Sequence, residues 1–116
     1  MEKPYNLEER TYLFAKYCRI YISRLPKPIS NIEDSKQLVR SSGSVAANYI
    51  EGNEKLGAKD LLFRLKISRK EAKESMLWLQ LLHDLNPNES IDSNPLISEV
   101  GEIRKILSAM IKKLEF

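Results

Sequence analysis

Few side chains in this 116-residue sequence could do chemistry. His83 is the only histidine, so any serine, histidine and carboxylate triad would have to run through it. It lies near the end of a helical pattern, where a structural histidine is the simpler reading. Cys18 is the only cysteine, and it falls between Phe14 and Tyr21 at helical spacing, where a free thiol packs as a small apolar group. Glu51, Glu71 and Glu74 could converge as carboxylates. Di-metal sites in helical bundles also need Glu-x-x-His pairs, however, and one histidine cannot supply them. The run Arg40-Ser41-Ser42-Gly43-Ser44 has the composition of a phosphate cradle, yet it sits inside a helical pattern rather than after a strand. No catalytic set, no metal site and no cofactor are expected.

Charge offers more. The net charge is +3, and it is unevenly spread: residues 1–30 hold six basic and three acidic side chains, and residues 57–86 hold six and four. Segments 31–56 and 87–116 each come out at −1. A basic surface is therefore expected from the first and third helical segments, with Lys16, Arg19, Lys66, Arg69, Lys70 and Lys73 as candidate contacts to the phosphates of RNA or DNA. The competing reading of such rows is an ordinary solvated helix face. A second group, Gln37, Arg40, Ser44, Asn48 and Glu51 with Glu71 and Glu74, reads as a structural polar network or an interface. Its members on the second helix are expected to be largely buried and bonded to the third helix or to another subunit, because buried charges persist when paired.

Four helices must position these groups, since hydrophobic periodicity is helical throughout and no strand-like alternation occurs. Asn6 can cap the first helix, with Glu9 as its capping-box partner. Leu7, Thr11, Phe14, Cys18, Tyr21 and Leu25 then share one face, and Pro26 and Pro28 end the helix. The second helix is expected to start between Asn31 and Ser35 and to reach Gly52. Its seam of Leu38, Ser42, Val45 and Tyr49 is rich in small residues, which invites close approach by a neighbour. The third is expected from Gly57 to Leu85, with a seam of Leu61, Leu65, Ser68, Ala72, Ser75, Leu79 and Leu82 that is also small at its centre. The fourth is expected to open with Pro95 in its first turn and to bury Leu96, Val100, Ile103, Leu107, Met110 and Leu114. Short connections make consecutive helices antiparallel neighbours, giving an all-α, up-and-down antiparallel four-helix bundle that forms a single domain over residues 1–116.

One cysteine excludes an intramolecular disulfide framework and a cysteine-based zinc site. The first residues lack the basic-then-apolar order of a signal peptide, and no stretch is long and apolar enough for a membrane span, so a cytoplasmic location is expected. Leu13, Tyr17 and Ile20 lie beside the first seam and give that helix more apolar surface than one seam can hide. Surplus apolar surface on a soluble chain points to self-association.

Two blocks of sequence carry a resemblance. Gln37-Leu38-x-Arg40-Ser41-x-x-Ser44-Val45-Ala46-Ala47-Asn48-Tyr49-Ile50-Glu51-Gly52 is similar to the signature of bacterial four-helix-bundle proteins first noticed as reading frames inside 23S ribosomal RNA intervening sequences, also called S23 ribosomal proteins. Asp60-x-x-x-Arg64-Leu65-x-Ile67-Ser68-x-Lys70-Glu71-Ala72-x-Glu74-Ser75-x-x-Trp78-Leu79-x-Leu81-Leu82 resembles the second block of that family, and Arg10-Thr11-x-x-Phe14-Ala15 its opening. Gly57 and Leu61 stand where the family usually has serine and phenylalanine. The resemblance implies a four-helix bundle assembled as a homopentameric ring. It also implies kinship with the accessory protein of diversity-generating retroelements, a strongly basic relative that binds nucleic acid and a reverse transcriptase. A non-enzymatic homo-oligomer that binds nucleic acid is the function expected, and a protein-binding scaffold or adaptor of unknown partner is the alternative.

Overall fold

The computed structural model describes residues 6–115. Helix α1 spans Leu7–Ser23, α2 Ile29–Gly52, α3 Ala58–Leu85 and α4 Ser90–Leu114, with one 3-10 turn, Pro87–Glu89, leading into α4. The helices run up, down, up and down. Each packs against its sequence neighbours, and α4 closes back on α1, while no Cα atoms of the diagonal pairs α1/α3 and α2/α4 come within 8 Å of each other among the described residues. The core fills the space between the four inward seams, with Phe14, Cys18, Tyr21, Leu38, Val45, Leu65, Leu79, Leu82, Val100, Ile103 and Leu107 sealed from solvent. No helix among the described residues is long and apolar enough to cross a membrane.

Local chemistry explains most of the ends. Asn6 Oδ1 accepts from the backbone N–H groups of Glu8 at 2.8 Å and Glu9 at 3.4 Å, satisfying two donors that the first turn leaves unpaired. Gly57, at φ +123°, sits just before α3 in a backbone conformation that only glycine adopts freely. The start of α2 comes earlier than the sequence implies. Pro28, at φ −65°, serves as its cap, because proline has no N–H to satisfy and a backbone angle already suited to helix entry. Asn31, released from capping, is buried: its Nδ2 donates to the Pro26 carbonyl at 3.0 Å and to Asn86 Oδ1 at 2.8 Å, and its Oδ1 accepts from Asn86 Nδ2 at 2.9 Å. This amide pair ties the α1–α2 connection to the end of α3.

Helix α4 corrects two expectations. It begins at Ser90, so Pro95 lies inside the helix rather than in its first turn. The missing N–H leaves the carbonyl four residues back, on Ile91, without its helical donor, and Ile91 is highly exposed, so water can serve it. Further along, the buried stripe runs Leu96, Val100, Ile103, Leu107 and then Ile111, with Met110 and Leu114 only partly buried. A strict seven-residue pattern drifts around a helix of 3.6 residues per turn, and over this length the drift replaces Met110 by Ile111.

Candidate nucleic-acid interface

The α2–α3 seam is built from short polar side chains. Ser68 Oγ donates to the Val45 carbonyl at 2.8 Å, and Ser75 Oγ lies 2.8 Å from Ser41 Oγ, all four residues being fully buried. Because these residues are small the helices lie close together, and longer side chains are pushed to the rim of the contact. There Arg40 Nη1 donates to Glu71 Oε2 at 2.7 Å, Nη2 bonds to Glu74, and Nε reaches Gln37 at 3.3 Å. The bond to Glu71 and the two nearby carboxylates push the Arg40 guanidinium above its ordinary pKa. Further along the seam, Arg64 donates to Asn48 Oδ1 at 3.2 Å and pairs with Glu51 at 3.0 Å, while Asn48 Nδ2 donates to Ser44 Oγ at 2.9 Å.

The structure thus brings Gln37, Arg40, Ser44, Asn48, Glu51, Glu71 and Glu74 into two clusters between α2 and α3, closed within one chain. The expectation that the members on α2 are largely buried is corrected. The Arg40 side chain is 49% exposed and that of Glu51 56%, whereas the Glu71 side chain retains only 7%. The carboxylate is buried and the long cation covers it from outside, as a flexible stem allows.

The basic rows divide differently from the sequence expectation. Arg19 is no free cation: its Nη1 donates to the Ala15 carbonyl at 2.9 Å and its Nη2 to the Val39 carbonyl at 3.2 Å, bracing α1 against α2 over Gly43. Lys16 is exposed and has no partner among the described residues, but α1 lies diagonally across the bundle from α3. The two rows therefore cannot form one surface within a subunit.

On α3, two of the cations reach toward α4, and Lys73, four residues on from Arg69, lies on the same side of the helix. Arg69 Nη1 donates to Ser108 Oγ at 3.4 Å, Lys66 pairs with Glu115 at 3.2 Å, and Met76 lies against Gly101, which fixes the register of the two helices. Arg104 and Lys112, four residues either side of Ser108, and Lys105, three before it, occupy the same side of α4. Lys66, Arg69, Lys73, Arg104, Lys105 and Lys112 consequently line one rim, with Glu115 as the acid among them. Lys70 points further out, away from α4.

Sequence reading missed the contribution of α4 because it summed charge by segment, and residues 87–116 net −1. A helix sorts its charges by face. The acids go to α1, where Arg10 bonds to Glu99 at 2.6 and 3.0 Å and reaches Glu102 at 3.5 Å, and Arg24 meets Asp92 at 3.3 Å. The bases go to α3. Of the residues considered for catalysis, His83 Nδ1 lies 2.7 Å from Ser93 Oγ, which is itself fully buried. Cys18 is sealed in the core, where burial pushes its thiol up to about 12. Among the described residues no group of three histidines, cysteines or carboxylates is placed to hold a metal ion.

A family model matches the sequence over most of the bundle. The model described as 23S rRNA-intervening sequence protein matches residues 7–109. The chain belongs to that family. A crystal structure of a protein of unknown function from the S23 ribosomal protein family of Bacteroides thetaiotaomicron VPI-5482 superposes with a TM-score of 0.78 at 26% identity, covering 92% of this chain and 99% of that one. No curated protein matches this sequence. The matched region of the family model contains the whole polar seam and, on the cationic rim, every residue except Lys112 and Glu115.

Proposed function

We propose that this member of the family is a non-enzymatic, homo-oligomeric, cytoplasmic bundle that binds nucleic acid, structured RNA in particular, along the α3–α4 rim. The observation that carries the reading is the row of six cations between Lys66 and Lys112 with one acid among them. Elsewhere the chain's arginines are mostly engaged in internal pairs, as at Arg10, Arg40 and Arg64. Lysines and arginines in a row along a rod track phosphates with little sequence preference. A closed ring of identical subunits, five by the family resemblance, would repeat the row around its axis, and weak contacts would add through multivalency.

The test replaces Lys66, Lys73 and Lys112 with glutamine and titrates wild type and variant against a structured RNA and a DNA duplex over a range of salt. Wild type should bind more weakly as salt rises, and removing one lysine–phosphate pairing should lower the slope by roughly 0.9 in the logarithmic plot for the duplex. Lys16→Gln should leave the slope unchanged. If wild type fails to bind at low salt, or the triple variant keeps the full slope, the reading gives way to a protein-binding scaffold.

A further inference from the structure

One end of the bundle carries an apolar ridge and an apolar groove that the subunit itself leaves open. The ridge is on the outward side of α3, where Leu77, Leu81 and Leu85 follow at steps of four and are 51%, 37% and 59% exposed. The groove, of about 450 Å³, lies between the end of α1 and the start of α2, and its apolar wall is Ile22, Pro26, Ile32 and Val39. Both sit at the same height: Asn31, which lines the groove, bonds to Asn86, the residue after Leu85. Three leucines at steps of four span about 12 Å along a helix, and Ile32 to Val39 span about 10 Å, so ridge and groove match in length. A row of residues four apart is the ridge that one helix lays into the groove of another surface.

Charge completes the match. From Lys16 to Arg40 the sequence holds six bases and two acids, and from Glu74 to Ile103 it holds six acids and no lysine or arginine. Four of those acids, Glu74, Asp92, Glu99 and Glu102, meet arginines of their own subunit. Asp84, between Leu81 and Leu85, is exposed and accepts only from Gln80 at 3.0 Å. Arg19 and Lys27, on the groove, donate to backbone carbonyls and have no acidic partner among the described residues. Lys27, in the α1–α2 connection, stands at the same end of the bundle as Asp84. Groove on groove would set cations against cations and ridge on ridge Asp84 against Asp84, while the apolar wall gives phosphates nothing to bond. We infer that the α1–α2 groove of each subunit takes the α3 ridge of a second copy of this chain, head to tail, with Asp84 meeting Lys27 across the contact.

This rests on the proposal that the chain self-associates and is independent of nucleic-acid binding. A head-to-tail contact uses two different surfaces of each subunit, so it imposes no even count and admits a ring of five. The groove opens on the α1–α2 side and the ridge points outward from α3, so the two faces are neither opposite nor coincident, and each added copy turns the row. Their equal height keeps the row level, which favours return to its start as a ring over growth as a filament. Lys66, Arg69, Lys73 and the α4 cations lie outside both surfaces and stay open.

The experiment uses Leu81→Arg, which spoils the ridge, and Ile32→Glu, which spoils the groove, with mass measured by light scattering over a concentration series. Both side chains are more than one-third exposed, and circular dichroism checks that each variant folds. Wild type should give a fixed multiple of the 13.4 kDa subunit. Each variant alone should associate at least about tenfold more weakly, because a like charge now faces the partner surface. The two mixed in equal amounts should stop at a pair of subunits, since the one sound groove takes the one sound ridge and nothing is left to extend the row. If either variant misfolds, Asp84→Lys and Lys27→Glu, at exposed side chains, serve in the same design with the same expected masses. A monomeric wild type overturns this contact together with self-association. With wild type assembled, a folded variant that associates as wild type does, or a mixture that stays monomeric or grows past two, overturns the head-to-tail contact alone.

Discussion

The two seams of α3 that face into the bundle are built on opposite plans. Toward α2, serines and alanine sit at the centre, the hydrogen bonds are short and specific, and charged side chains close over the top in fixed pairs. Away from α2, toward the bundle core and α4, large aliphatic side chains such as Leu65, Leu79, Val100 and Leu107 are buried, and most of the cations on the α4 rim have no ion-pair partner among the described residues. The polar seam sets geometry, because a serine bonded to one carbonyl tolerates no sliding. The aliphatic seam supplies burial without engaging the charges on its rim, which leaves those charges available to bind something else.

The comparison can be broken most severely on the aliphatic side. Leu107→Ala, or Leu79→Ala, removes a fully buried side chain and should lower the unfolding free energy by about 2–5 kcal/mol in denaturant titrations. A drop below about 1 kcal/mol would mean that the burial attributed to this seam lies elsewhere. The next effect belongs to the polar seam. Arg40→Ala leaves the buried Glu71 carboxylate without its cation, and should cost about 2 kcal/mol, less than a fully buried pair because Arg40 is half exposed. Adding Glu71→Gln to Arg40→Ala should return part of that stability, since no bare charge remains; a double variant less stable than Arg40→Ala would show that Glu71 has another partner. The smallest effect sharpens the contrast: Ser75→Ala should cost about 1 kcal/mol by stranding the Ser41 hydroxyl, whereas Ser108→Ala, at the cationic rim, should stay within about 0.5 kcal/mol.

Much of the bundle was legible because burial follows helical period. The inward stripes of α1 and α2 fall where spacing puts them, as does that of α3 apart from half-buried Leu61, and Gly57 and Asn86-Pro87 bound α3 as their turn chemistry dictates. Pro28 and Pro95 misled in opposite directions, for proline is tolerated as a cap, in a first turn and, at a cost, one turn further in. The candidate site was legible only in part. Spacing places Lys66, Arg69 and Lys73 on one side of α3, but which neighbour that side meets is a property of the bundle, so the α4 cations could not be joined to them. Arg19 shows the converse: its charge is visible in the sequence, while the two backbone carbonyls that hold it belong to α1 and α2 and become near neighbours only on folding.

The burial of Cys18 has a consequence for how this protein meets oxidants. A thiol that keeps its proton until about pH 12 and touches no solvent offers neither a thiolate nor a path to peroxide or to another thiol. Its folded lifetime thus guards it against oxidation. Disulfide-linked pairs of this chain would record molecules that had opened, so covalent dimers in an aged sample would count past unfolding events and say nothing of native assembly.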